Sequence, residues 1–203
     1  MKIGRLVERF ALTIGALALS GLGSVAFAQS HDSHGAAPGA SQQQRHRRNE
    51  GQLVKRVKEA TKDYDDVSVA IGLDYQLLFG CVSGGDFGAM GLHYVNLGKV
   101  FDDGKLNVDD PEIVLYEPTR NGGVRITGAD YLVIAADWHK YNAAPPELMG
   151  QLFHFFDSPN RFGLDPFYTL HVWAWKNNPA GTFGNWNPDV SCDAFAPEPA
   201  PSN

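Results

Sequence analysis

The sequence predicts an α+β protein in which an antiparallel sheet or small barrel packs against a long N-terminal helix. Apolar residues recur every three or four positions between Gly51 and Leu73, which is the period of one helix face. From residue 90 to residue 175, short apolar runs alternate with turn residues, a pattern typical of strands. The chain has 203 residues, 43% of them hydrophobic and 20% charged, which is the composition of a globular protein.

The first 28 residues have the organisation of a secretory signal peptide. Three basic residues accompany an apolar stretch, Phe10–Leu22, and Ala26–Ala28 matches the small-x-small pattern of a cleavage site. The stretch is shorter than the roughly 20 residues of a membrane-spanning helix, which disfavours an uncleaved anchor. We therefore expect a periplasmic or secreted protein, soluble and with no transmembrane segment once residues 1–28 are removed.

Two segments flank the predicted domain, which spans residues 51–195. Residues 29–50 contain no large apolar side chain, so burial cannot offset the entropy of ordering them, and they predict a disordered linker. One interpretation of this segment is a solvated tether. The other is weak binding of Zn or Cu by its three histidines, His31, His34 and His46. Residues 196–203, rich in proline, predict a flexible tail.

The elements of the domain follow from its patterns in chain order. The helix over Gly51–Leu73 has an apolar stripe that comprises Leu53, Val57, Ala60, Tyr64, Val67 and Ile71. The glycine-rich stretch Gly84–Gly91 lacks the lysine of a phosphate-binding loop, so it predicts a tight loop that lets backbone approach a site closely. Asn121–Gly122 predicts a hairpin turn. Five apolar runs predict strands: Met90–Val95, Ile113–Tyr116, Val124–Ala135, Leu152–Phe156 and Tyr168–Trp175.

The charge of the chain excludes one class of partner. Asp and Glu total 23 against 17 Lys and Arg, a formal net charge of -6, so the basic footprint of a nucleic-acid-binding protein is missing. An acidic body attracts cations instead. We therefore expect a small molecule or a metal ion as the partner, and no nucleic acid.

The chain has two cysteines, Cys81 and Cys192. An oxidising compartment favours their pairing, so they predict a disulfide that fastens the C-terminal segment to the start of the core. The alternative is a redox-active or Cu(I)-binding thiol pair, which the lack of a Cys-x-x-Cys motif disfavours.

Two histidines lie within strand-like apolar runs, His93 in the first and His171 in the last. Apolar neighbours on both faces predict that both imidazoles are buried and need partners. Two carboxylates are the candidates, Glu117 at a strand end and Asp130 in the middle of a strand. Two histidines with one or two carboxylates form a competent site for a divalent transition metal, Zn or Cu. The alternative is that the two imidazoles are satisfied by protein groups without a metal.

Aromatic residues surround these histidines in the sequence. Tyr94, Trp173 and Trp175 are predicted to wall the site, and Trp186, with Phe183, to anchor a loop rich in Asn-Pro and glycine on the core. A second hypothesis is a binding module without a metal, in which four aromatic residues hold a carbohydrate or another planar ligand: Tyr94, Trp173, Trp175 and Trp186. A third is a structural envelope domain whose histidines only fix strands.

Several strings resemble those of a group of small exported bacterial proteins. These strings are HYVN at 93–96, YEP at 116–118, LHVWAW at 170–175, NPAGTF at 178–183 and WNP at 186–188. The resemblance extends over about residues 53–192 and implies a single exported domain. It implies no particular reaction, so enzymatic activity stays open.

Overall fold

The computed structural model describes residues 38–195, with side chains from residue 42 onward. The predicted signal peptide, the first part of the predicted linker and the predicted tail therefore lie outside the described residues. Within the described range, no helix is long and apolar enough to cross a membrane.

The N-terminal helical region is divided where the sequence predicted one helix over 51–73. Helix α1 spans Pro38–Ala60, a 3-10 turn follows at Lys62–Asp65, and a short helix α2 covers Val67–Gly72. The division occurs because Asp66 accepts a hydrogen bond from the Ser68 backbone N–H, which caps the start of a new helix. Helix α1 also begins within the range 29–50 that composition predicted as a linker. Its glutamines and arginines are good helix formers, and its proline sits at the N-terminus, where no amide hydrogen is needed.

The core of the molecule is a curled, fully antiparallel six-stranded sheet, a half-barrel with strand order β1-β2-β3-β4-β8-β7. The predicted mixture of helix and antiparallel sheet is confirmed. The strands are β1 Gln76–Ser83, β2 Ala89–Val95, β3 Ile113–Pro118, β4 Val124–Ile134, β5 Glu147–Leu148, β6 Gln151–Leu152, β7 His154–Phe156 and β8 Phe167–Val172. Strands β5 and β6 form a separate two-stranded ribbon, and short helices α3 and α4 cover Leu97–Val100 and Ala135–Trp138.

Strand boundaries depart from the prediction at three places. Strand β1 was not predicted, because Gly80 interrupts its apolar residues. Its pairing with β2 shifts register at Phe79 and Gly80, both of which have positive φ. The run predicted over Leu152–Phe156 is split between β6 and β7, and β8 ends at Val172, so Trp173 and Trp175 lie beyond the strand.

The turn between β3 and β4 forms where Asn121–Gly122 predicted it. The Thr119 N–H donates to the Gly123 carbonyl at 2.8 Å, and Gly122 adopts a φ of 80°. The glycine-rich stretch 84–91 does permit close backbone approach, as predicted. A side chain at Gly91 would place its Cβ 2.3 Å from the Tyr116 carbonyl oxygen.

The two faces of the sheet have different coverings. Helix α1 packs Leu53 and Val57 against one face, in a core with Tyr131, Leu170 and Val172. The side chains that alternate with these form the opposite face, which we call the inner face. Its apolar core consists of Val95, Val100, Ile113, Leu115, Leu132, Ile134 and Phe167.

The loop 157–166, which joins β7 to β8, covers the inner face. Its Phe162 packs edge-on against Phe79 of β1, with ring centroids 5.3 Å apart. The neighbouring Arg161 donates from Nη1 to the Ser83 carbonyl at 3.0 Å. Because β1 and β7 are the two edges of the sheet, these contacts close the half-barrel over its inner face.

The predicted disulfide is present. Cys81 in β1 and Cys192 in the C-terminal segment are joined, with Cα atoms 5.7 Å apart, and the bridge closes a loop with a sequence separation of 111. The described residues contain no free cysteine.

Candidate metal centre

Three strands bring two histidines and an aspartate together on the inner face. His93 lies in β2, Asp130 in the central strand β4 and His171 in β8. Asp130 and His171 are direct partners in the β4–β8 ladder, so their side chains leave the sheet side by side. The sequence analysis predicted this meeting of two distant histidines with an acidic neighbour.

The distances between the three side chains suit a shared ion. One ligand atom from each residue lies within 4.8 Å of the others. The two imidazole centroids are 5.8 Å apart, and His171 Nδ1 is 3.5 Å from Asp130 Oδ1. Ligands of one Zn or Cu ion lie about 2.0–2.2 Å from it, so binding requires side-chain adjustments of about an ångström.

The hydrogen bonds of the group are unequal. Asp130 accepts from the Thr169 hydroxyl at 2.5 Å, and His93 Nδ1 contacts the Gly91 carbonyl at 3.3 Å. Both ring nitrogens of His171 are buried and make no hydrogen bond of normal geometry among the described residues, although Asn185 lies near enough to oppose the fall in the pKa of this ring. An unpaired buried polar group costs about 1–3 kcal/mol, so this imidazole is the least satisfied member of the group.

Burial sets the protonation states of the group. It lowers the pKa of His93 to about 4 and that of His171 to about 3, because a charged imidazole is poorly solvated there. It also raises the pKa of Asp130 to about 6, although the hydrogen bond from Thr169 and the neighbouring His93 oppose the increase. At neutral pH both imidazoles are therefore neutral and the carboxylate is largely ionised, which are the forms that bind metals.

The group borders a small cavity of about 20 Å³. That space is enough for one water molecule or one ion, and too small for an organic ligand. Apart from the site residues and Thr169, its lining is apolar, with Phe79, Met90, Leu132, Phe162, Leu164 and Phe167 among its members.

The second predicted carboxylate, Glu117, is not part of this group. Its side chain is nearly buried, and it accepts hydrogen bonds from Lys176 Nζ at 2.7 Å and Arg125 Nη1 at 3.3 Å. Two cations therefore already neutralise it, and Asp130 is the carboxylate that meets the histidines.

The four predicted ligand-binding aromatics lie in different surroundings. Trp173 is buried and its ring stacks beside that of His171, with centroids 6.4 Å apart. Tyr94 points to the opposite face, where it packs on Tyr116. The indole N–H of Trp175 donates to the Thr61 hydroxyl, beside the end of α1.

Trp186 anchors its loop, as the sequence predicted. Its ring fills the space above Gly84, where an added Cβ would lie 2.6 Å from it, and Arg161 stacks on it at 5.6 Å. Trp186, Trp175 and Tyr94 are thus each engaged with a different part of the fold.

Other residues near the centre escaped the sequence analysis. Thr169 holds Asp130, and Phe162 covers His93, with ring centroids 6.5 Å apart. Alternation along the last strand already placed Thr169 on the face of His171, so this residue could have been found. Phe162 lies in a loop without periodicity, and no pattern in the sequence indicates its position.

Comparison of the chain with known protein families, curated proteins and solved structures gives no match. Inferences about function therefore rest on the geometry of the His93/Asp130/His171 group.

Proposed function

We propose that this protein is an exported metal-binding protein that holds one divalent transition-metal ion between His93, Asp130 and His171. The described residues can form such a centre, because the three side chains are buried, adjacent and in their metal-binding protonation states at neutral pH.

The observation that carries the proposal is the isolation of His171. An imidazole that only fixes a strand would bond to a carbonyl or a carboxylate, as His139 does with the Asn142 carbonyl at 2.8 Å and the Tyr168 hydroxyl at 2.9 Å. Neither nitrogen of His171 makes a hydrogen bond of normal geometry among the described residues, yet Nδ1 lies 3.5 Å from Asp130 Oδ1 and His93 is adjacent. A metal–nitrogen bond supplies the missing interaction.

The donor set indicates which ions suit the centre. Two neutral imidazoles and one carboxylate favour Zn(II) or Cu(II), and the carboxylate disfavours Cu(I), which prefers sulfur ligands. Three protein ligands leave at least one open coordination position, and the cavity has room for one water molecule there. Because the cavity is too small for an organic substrate, it favours metal storage or transfer as the function of the centre.

Export is the second part of the proposal. The signal-like residues 1–28 and the Cys81–Cys192 disulfide support it, because disulfides persist mainly in oxidising compartments. In the periplasm, the net negative charge of the chain would attract metal cations.

Metal analysis of the mature protein tests the proposal. The chain is loaded separately with Zn(II) and Cu(II), passed over a desalting column and analysed by mass spectrometry for metal content. We expect one tightly held ion per chain, and no such ion in a His93→Ala/His171→Ala double variant.

A matched control separates the buried centre from the histidines of the N-terminal segment. The triple variant His31→Ala/His34→Ala/His46→Ala is expected to keep the tightly held ion. If the wild-type chain binds no ion, or if the triple variant loses it while the double variant retains it, the proposed centre is wrong.

A further inference from the structure

Two routes would lead an ion from solvent to the buried centre, and they differ in polarity. The first passes beneath the loop 157–166, between the rings of Phe79 and Phe162. Moving a hydrated cation past these rings would replace its water with hydrocarbon, which is strongly unfavourable. This approach therefore opposes the entry of an ion.

The second approach lies at the outer edge of the sheet, where β7 pairs with β8. His154 is directly opposite Thr169 in this ladder, so the two side chains share the inner face. Thr169 in turn donates to Asp130, which is a proposed ligand. His154 is also diagonal to His171, and side chains in diagonal positions of neighbouring strands are within reach of each other.

His154 is exposed, unlike the three buried residues. Its Nδ1 lies 3.0 Å from Asn185 Oδ1, which holds the ring at the β7 edge. The other ring nitrogen makes no hydrogen bond among the described residues. His154 therefore presents a ring nitrogen at the exposed strand edge, on the same face of the sheet as Asp130 and His171.

We propose that His154 is the entry ligand of the buried centre, which binds the incoming hydrated ion at the β7 edge and passes it to His171. The transfer is a ligand exchange without redox chemistry: the ion loses one water as it binds His154, and the bond to His154 breaks as the bond to His171 forms. Exposed side chains rotate within nanoseconds, so His154 can follow the ion inward. This inference rests on the proposed function of the centre.

The rates of metal loading and release test this role. Metal-free protein is mixed with Zn(II) in a stopped-flow instrument, and release is started with a colorimetric chelator. In His154→Ala we expect both rates to fall about tenfold, which corresponds to about 1.4 kcal/mol of lost transition-state stabilisation. The equilibrium affinity should stay close to that of the wild type, because both directions are slowed equally.

Two further variants serve as controls. His46→Ala removes an exposed histidine from α1, far along the chain from the centre, and should load at the wild-type rate. Phe155→Ala removes the exposed neighbour of His154 in β7, whose ring packs on Tyr168, and should also load at the wild-type rate.

The outcomes separate the entry role from the centre itself. Wild-type rates in His154→Ala, or an equal fall of the rates in Phe155→Ala, overturn the entry role while the centre stands. A large loss of affinity in His154→Ala at an unchanged loading rate makes His154 a resident ligand and also overturns the entry role. If the wild-type chain takes up no ion, the proposed function fails, and this inference fails with it.

Discussion

Replacing His171 with leucine should stabilise the metal-free protein, although most core substitutions destabilise proteins. The imidazole is 2% exposed and neither ring nitrogen is hydrogen-bonded. An unpaired buried polar group costs about 1–3 kcal/mol, and leucine removes that cost while filling a similar volume. We therefore expect the free energy of unfolding of His171→Leu to rise by about 1–3 kcal/mol when a chelator keeps the protein free of metal.

Metal should reverse the sign of this difference. At a free metal concentration about 100 times the dissociation constant, binding stabilises the wild-type fold by about 2.7 kcal/mol. His171→Leu lacks one of the three metal-binding side chains, so metal should stabilise this variant much less. The wild type should thus equal or exceed the variant in stability when Zn(II) is present and fall below it when a chelator is present.

Denaturant unfolding at pH 7, with the disulfide intact, measures both conditions. His139→Leu is the comparison, because its imidazole is exposed but hydrogen-bonded at both nitrogens. That variant should lose stability with and without metal. The reasoning is refuted if His171→Leu destabilises the metal-free protein as His139→Leu does, since His171 would then have partners in the fold.

Three other predictions follow from the described contacts. Burial raises the pKa of Glu112 to about 8, so the folded state keeps a proton that the unfolded chain releases near pH 4.5, and stability falls as the pH rises between these values. Denaturant unfolding at a series of pH values gives the free energy of unfolding against pH. This curve should be flatter for Glu112→Gln than for the wild type, by up to about 1.4 kcal/mol per pH unit, and parallel curves would contradict the prediction. Gly91→Ala should unfold the protein or cost several kcal/mol, as circular dichroism would report, because its Cβ would meet the Tyr116 carbonyl oxygen at a φ of 89°. Cys81→Ser/Cys192→Ser should lose about 4–5 kcal/mol by the chain-entropy estimate, and an unchanged denaturation midpoint would show that the bridge does not stabilise the fold.

The sequence predicts the two histidines of the centre well, because burial is visible in local patterns. His93 and His171 each lie in an apolar run, and a neutral buried imidazole must find a partner. The choice between Glu117 and Asp130 was not predictable in the same way. It depends on Lys176 and Arg125, whose approach to Glu117 follows from tertiary structure alone.

The closing of the inner face was also beyond the sequence. Strand β1 contains two residues with positive φ, Phe79 and Gly80, and such a bulge disrupts the alternation that identifies a strand. The covering ring of Phe162 lies in a loop whose position depends on contacts with that same strand. Local periodicity carries no information about either contact.

A second bulge determines that Asp130 faces the histidines at all. In β4, Ile126 packs on the helix-covered face, and strict alternation from it would place Asp130 on that face too. The register between β3 and β4 instead shifts by one residue at Thr127, after which Ala129 and Tyr131 face the helices and Asp130 faces inward. The carbonyl of Thr127 accepts hydrogen bonds from the N–H groups of residues 175 and 176, which compensates for its loss from the ladder. The segment after β8 thereby stabilises the irregularity that places the carboxylate opposite His171, and the His93/Asp130/His171 group depends on this register shift.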